Sequence, residues 1–148
     1  MQTICVTLNN GIKMPILGFG TFKVEDAQQT IDAVKCALEL GYRHIDTATI
    51  YQNEEGVGQA IKESGIPREE IFLTSKVWNS DQGYESTLKA FETSLKKLQT
   101  DYLDLYLIHW PKALNHETWR ALEELYNQGR IRAIGVSNFK EHHLDNLL

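Results

Sequence analysis

The feature that most constrains this chain is a repeat of pattern. From Ile16 onward a short apolar run and a longer amphipathic run alternate five times, about every 30 residues, and no linker or low-complexity segment interrupts them. The apolar runs are residues 16–20, 42–46, 71–76, 103–109 and 131–137, and each reads as a strand. The amphipathic runs read as helices at about 25–40, 54–64, 83–98 and 116–128, with a fifth opening near Lys140. Their apolar stripes are Ala27, Ile31, Val34 and Leu38; then Leu88, Phe91, Leu95 and Leu98; then Trp119, Leu122 and Tyr126; then Leu144, Leu147 and Leu148. Asp26 stands near the first helix start, and Gly41, Gly65 and Gly129 stand just past helix ends, where chains most easily leave the helix. Ahead of the repeat, residues 3–8 alternate Ile4, Val6 and Leu8 with Thr3, Cys5 and Thr7. An Asn9-Asn10-Gly11 turn and a second short segment follow, which predicts a β-hairpin.

Strands alternating with helices require crossover connections and a parallel sheet. Two architectures satisfy this, a doubly wound sheet and a (β/α)8 barrel. The first strand–helix turn, Gly18-Phe19-Gly20-Thr21-Phe22-Lys23, has Lys23 where a dinucleotide fingerprint needs its third glycine. The second strand ends in Asp46, but a tyrosine-bearing loop follows it rather than a ribose-binding setting. The barrel is therefore the expected α/β fold. A whole barrel takes about 250 residues. The 148 residues supply the hairpin and about five units, so residues 1–148 are expected to form one domain, the N-terminal portion of a TIM-type barrel.

Composition removes several function classes. The net charge of -5 leaves no basic field for nucleic acid or an acidic membrane surface. No apolar run reaches the ~18 residues of a membrane span, and residues 1–8 lack the pattern of a signal peptide. Cys5 and Cys36 have no CxxC spacing, so the expectation is two free, buried thiols in a reducing cytoplasm, and no metal set is singled out.

The C-terminal ends of barrel strands are where such folds keep their chemistry. Here they carry Thr21-Phe22, then Asp46 with Tyr51 beyond it, then Lys76 with Trp78, then His109-Trp110, then Ser137-Asn138. Taken singly, each has a plain structural reading: a loop acid, a half-buried phenol, a solvated lysine, a packed histidine, rim tryptophans, helix caps. Those readings do not explain why all fall on one rim. Together, Asp, Tyr, Lys and His suit proton delivery to a carbonyl oxygen. A phenol is a poor acid at neutral pH. An ammonium beside it favours the phenolate, an aspartate holds the ammonium, and a histidine can hydrogen-bond the carbonyl. The set holds no hydride donor, so a cofactor has to bring one. Ser137 and Asn138 could hold an amide such as a nicotinamide carboxamide.

Six stretches carry a wider resemblance: residues 14–22, 41–51 (Gly-Tyr-Arg-His-Ile-Asp-Thr-Ala-Thr-Ile-Tyr), 53–61, 72–78 (Phe-Leu-Thr-Ser-Lys-Val-Trp), 101–111 and 129–139 (Gly-Arg-Ile-Arg-Ala-Ile-Gly-Val-Ser-Asn-Phe). In order and spacing the chain resembles the aldo-keto reductases, NAD(P)H-dependent carbonyl reductases built on a (β/α)8 barrel. The resemblance implies that Asp46, Tyr51, Lys76 and His109 are a catalytic tetrad with Tyr51 as general acid. It implies that Ser137 and Asn138 bind the nicotinamide amide, that Thr21 and Asp46 lie near the nicotinamide ribose, and that Phe22, Trp78, His109 and Trp110 line the substrate pocket. It implies NADPH, with NADH as the alternative, and a small aldehyde or ketone substrate. The family's later strands bring most pyrophosphate and adenosine contacts, and none of them stands in this sequence. The competing expectations are a half-barrel fragment without activity of its own that associates through its open sheet edges or binds a partner chain, and a family member recruited to a structural or redox-sensing role.

Overall fold

The computed structural model describes residues 3–148. Met1 and Gln2, on which the expectation of no leader in part rests, lie outside the described residues. The chain opens on an antiparallel hairpin of β1 (Cys5–Thr7) and β2 (Lys13–Pro15), registered from Cys5 opposite Pro15 to Thr7 opposite Lys13. The main sheet follows, with β3 (Phe19–Gly20), β4 (His44–Asp46), β5 (Phe72–Val77), β6 (Leu103–Ile108) and β7 (Ile131–Val136). Between and after these strands come α1 (Ala27–Glu39), α2 (Glu54–Ser64), α3 (Tyr84–Leu98), α4 (Asn115–Asn127) and α5 (Glu141–Leu147). All neighbouring pairs in the main sheet are parallel, and the strands stand side by side in chain order from β3 to β7.

That order decides between the two architectures. A doubly wound sheet reverses its strand order at a switch point; this sheet never does, and it is the first part of a (β/α)8 barrel. One core lies between sheet and helices. Ile45, Leu73, Val77, Tyr106 and Ile108 from the strands meet Val34, Leu38, Val57, Phe91, Leu95 and Leu122 from the helices. Residues on the other pleat of β4 and β5, including His44, Asp46 and Lys76, stay outside that cluster, as the period of two in a strand dictates. Among the described residues no helix is long and apolar enough to cross a membrane.

Local chemistry explains the element ends. Asp26 caps α1 by accepting from Gln29 N at 2.9 Å. The helix ends in a double closure, Gly41 N to Leu38 O and Tyr42 N to Ala37 O, with Gly41 at φ 98°, a conformation that costs glycine nothing. Helices α2 and α3 come very close at Gly58, where a Cβ would stand 2.6 Å from the Leu98 carbonyl carbon and oxygen.

Several expectations need correction. Cys5 and Cys36 are free but exposed, because β1 lies uncovered and Cys36 points off the outer side of α1. The strand expected at 16–20 shortens to Phe19 and Gly20, which stand in register with Ile45 and Asp46 of β4, and Ile16 and Leu17 are left exposed. The alternation in the hairpin does not mark a buried face, since Ile4 and Val6 are both exposed. On α1 the buried side is Thr30, Val34, Ala37 and Leu38 rather than one reaching Ala27. Tyr126, Leu144 and Leu148 are exposed too.

Candidate active site

Lys76 is the centre of the strand-end cluster. It sits on β5 two residues beyond Thr74, which pairs with Asp46 of β4. From there its side chain crosses to the neighbouring strand end. Lys76 Nζ donates to Asp46 Oδ1 at 2.6 Å, to Thr47 O at 2.9 Å and to the Tyr51 hydroxyl at 3.5 Å. The lysine is 6% exposed. A buried ammonium without partners would be costly, and the ion pair with Asp46 offsets that cost. Tyr51 stands on a short 3-10 turn, Thr49–Tyr51. That turn is tied to β5 by the Thr49 hydroxyl, which donates to Lys76 O at 3.0 Å. Thus one strand residue is bonded at both ends to the segment that carries the phenol.

His109 closes the other side. Its ring lies 5.8 Å from that of Tyr51 and 5.3 Å from that of Trp78, both edge-on, and stacks over Trp110 at 6.4 Å. Phe22 lies 5.1 Å from Tyr51 and completes an aromatic wall. Burial holds the His109 imidazole below its usual range, and the nearby Lys76 ammonium adds to this against the opposing pull of Asp46. A ring held below that range favours its neutral form at pH 7. Its Nδ1 is buried without a hydrogen-bond partner among the described residues, which departs from the plain reading of a satisfied core histidine.

The fifth strand brings Ser137 and Asn138 to the same end. Asn138 has φ 61°, a left-handed backbone that asparagine tolerates better than most residues. Its Nδ2 donates to His109 O at 2.9 Å and to Ser137 Oγ at 3.1 Å. Neither residue caps α5, whose N-cap position is Lys140. The Asn138 amide oxygen and the Ser137 hydroxyl proton are left as one acceptor and one donor, the complement of a carboxamide. Thr21 behaves differently. It is fully buried, and its hydroxyl is directed to Asp46 O and Asn53 Oδ1. It touches the cluster from behind rather than facing the open side.

The structure also brings in residues that sequence reasoning passed over. Thr47 supplies a carbonyl to Lys76, and Thr49 anchors the tyrosine turn. Gln82 Nε2 donates to Trp110 O at 2.8 Å, so side-chain amides hold two successive carbonyls, those of His109 and Trp110. Glu54 is 2% exposed and accepts from Ser75 Oγ at 2.8 Å; burial pushes its carboxyl above the usual range. An acid and a polar residue at a helix start look like ordinary capping in a sequence, so only the burial of Asn53 and Glu54 sets them apart.

Fold and site together define a barrel-type α/β protein with a lysine-held phenol, a buried histidine and a Ser137–Asn138 pair at one sheet end. The sequence pattern of the Aldo/keto reductase family matches residues 16–148, and the chain belongs to that family. It is 65% identical over 144 residues to the glyoxal reductase of Bacillus subtilis, covering 97% of this chain and 52% of that protein. It is 60% identical over 144 residues to the 9,11-endoperoxide prostaglandin H2 reductase of Trypanosoma cruzi, covering 97% of this chain and 51% of that protein. Among solved structures, an aldo/keto reductase from Brucella melitensis superposes with a TM-score of 0.96 at 59% identity, over 99% of this chain and 58% of that one. The Bombyx mori aldo-keto reductase in complex with NADP superposes with a TM-score of 0.93 at 40% identity, over 99% of this chain and 54% of that one. The chain spans about half the length of the curated relatives it matches.

Proposed function

We propose that the chain carries the proton-delivery side of a site that reduces aldehydes or ketones to alcohols with NADPH. One observation carries this reading: Lys76 Nζ touches both the Asp46 carboxylate and the Tyr51 hydroxyl at the C-terminal end of the sheet. Tyr51 donates its proton to the carbonyl oxygen. The Lys76 ammonium stabilises the negative charge left on the phenolic oxygen, and Asp46 keeps that ammonium in place. Neutral His109 offers a ring N–H to the same carbonyl oxygen and orients it. Phe22, Trp78 and Trp110 wall the space around the carbonyl. A dinucleotide bound here would supply the hydride, and Ser137 and Asn138 would hold its carboxamide. NADPH is favoured over NADH by the likeness to a reductase solved with NADP. A cytoplasmic setting fits two free thiols. In an assay of carbonyl-dependent NADPH oxidation, Tyr51→Phe should lower kcat by about 100-fold or more. Activity that survives the substitution would remove Tyr51 as the acid.

A second reading has its own observation. Strands β3 and β7 each have one sheet neighbour among the described residues, and Ile16, Leu17 and Leu40 lie exposed on the β3 side. Open edges pair with other chains. On this reading the chain associates with itself and has no activity alone. Sedimentation should then show dimers or larger species; a monodisperse monomer that unfolds cooperatively would refute it.

A further inference from the structure

The first residue before α2 is an asparagine, the side chain most often spent on capping a helix. Asn53 does not do this: its side chain makes no bond to the first turn. It is 5% exposed and is committed elsewhere. Its Nδ2 donates to Thr21 O at 2.8 Å and to Val24 O at 3.0 Å, both in the loop after β3. Its Oδ1 accepts from Thr21 Oγ1 at 3.2 Å and from Thr47 Oγ1 at 2.8 Å. One amide therefore uses both its donors and its acceptor to join the loop after β3 to the loop after β4.

Both loops carry parts of the site. Thr47 O is one of the acceptors of Lys76 Nζ. Phe22, which walls Tyr51 at 5.1 Å, follows Thr21 directly. We infer that Asn53 is a positioning residue that sets the Phe22 wall and the Lys76 ammonium against one another across Tyr51; this rests on the reduction reading above. Its Thr47 arm fixes the direction of the carbonyl that steadies Lys76. Its Thr21 and Val24 arm fixes the loop that carries Phe22. The Thr47 arm acts on the chemical step and the other on substrate fit, so the two separate in kinetics.

The test uses the 148-residue chain and two variants. Thr47→Val keeps shape and removes only the hydroxyl that bonds Asn53. It should lower kcat about tenfold with KM nearly unchanged, since small displacements of a catalytic group are costly. Asn53→Ser keeps a small polar side chain and cuts both arms. It should lower kcat by a similar factor and also raise KM about tenfold. Amide hydrogen exchange read residue by residue gives a readout independent of activity. In Asn53→Ser the Thr21 and Val24 amides should exchange faster while core amides such as Leu73 keep their rates. Unchanged kcat and KM in an active chain, or faster exchange everywhere in equal measure, would overturn the inference and leave Asn53 a stability residue. If the unsubstituted chain shows no carbonyl-dependent oxidation while the loop amides respond as expected, the coupling of the two loops stands and reduction by this chain alone falls.

Discussion

Substituting Gly58 by alanine sets two known effects against each other. Glycine inside a helix costs about 1 kcal/mol relative to alanine, so propensity alone predicts a gain. Position 58 lies in α2 and is buried, so it is not a free helix surface. A methyl group there would stand 2.6 Å from both the carbonyl carbon and the oxygen of Leu98, and 2.7 Å from Lys97 O. Ordinary contact begins at 3.4 Å, and the obstructing atoms are backbone rather than the end of a flexible side chain. Relief therefore requires α2 and α3 to separate, which strips contacts from Leu98 and from Val57 beside it in the core. Overpacking of this kind costs about 1–3 kcal/mol, and backbone obstruction places it at the upper end. After the propensity gain, Gly58→Ala should destabilise by about 1–2 kcal/mol. Gly56→Ala provides the scale. Its methyl meets the Thr30 side chain at 3.0 Å and Ala27 O at 3.3 Å, so the strain is milder. Urea denaturation of both variants measures the difference. A Gly58→Ala protein as stable as the parent, or less affected than Gly56→Ala, would refute the steric argument.

The buried titratable groups give stability a pH dependence with opposite slopes in two windows. Burial holds His44 and His109 below the usual 6.5. As pH falls through that value the unfolded chain takes up protons that the folded chain refuses, so stability should drop on the acid side of neutrality. Glu54 is displaced upward from 4.5 by burial. As pH rises above that value the unfolded chain ionises first, so this group lowers stability with rising pH and remains a cost at pH 7. Glu54→Gln should therefore raise Tm at pH 7 more than at pH 4; an equal change at both would show that the carboxyl carries no burial cost. Proton NMR of His109 should show the neutral ring persisting below pH 6.5, and a titration above that value would contradict the cause assigned to it.

What the sequence discloses here depends on how local the signal is. Helix ends are local. The Asp26 cap and the Gly41 exit depend on residues within one turn, and both are where the pattern places them. Strand order was legible for a related reason. Crossovers in consecutive units leave few topologies, and Lys23 and the Tyr51 loop argued against the doubly wound one. The gathering of Asp46, Tyr51, Lys76 and His109 followed from counting strand ends. What could not be read is the destination of a polar side chain whose partner is distant in the chain. Asn53 has the position of a cap and the contacts of a strut. Thr21 precedes an exposed phenylalanine yet is itself sealed inside. Hydropathy misled in the other direction at Ile4, Ile16 and Leu17. Apolar type gives a preference for burial, but burial also requires a covering element, and none lies over them among the described residues.

The choice of lysine at position 76 follows from its three donors. An ammonium offers three N–H bonds on one atom, and this one directs them to a carboxylate, a backbone carbonyl and the phenol. The first two are short, at 2.6 and 2.9 Å, and they hold the nitrogen still. The third, to Tyr51, is long at 3.5 Å. On the proposed reduction reading it contributes little while the phenol is neutral and strengthens as charge collects on the phenolic oxygen, with no rearrangement of the other two. That is the condition under which a fixed charge favours a transition state over a ground state. Arginine keeps the charge but spreads it over a planar fork. It cannot place three donors on one point between strand ends paired as Asp46 and Thr74 are. Lys76→Arg should thus behave as a loss of the site rather than as a conservative exchange, even where the ion pair with Asp46 survives.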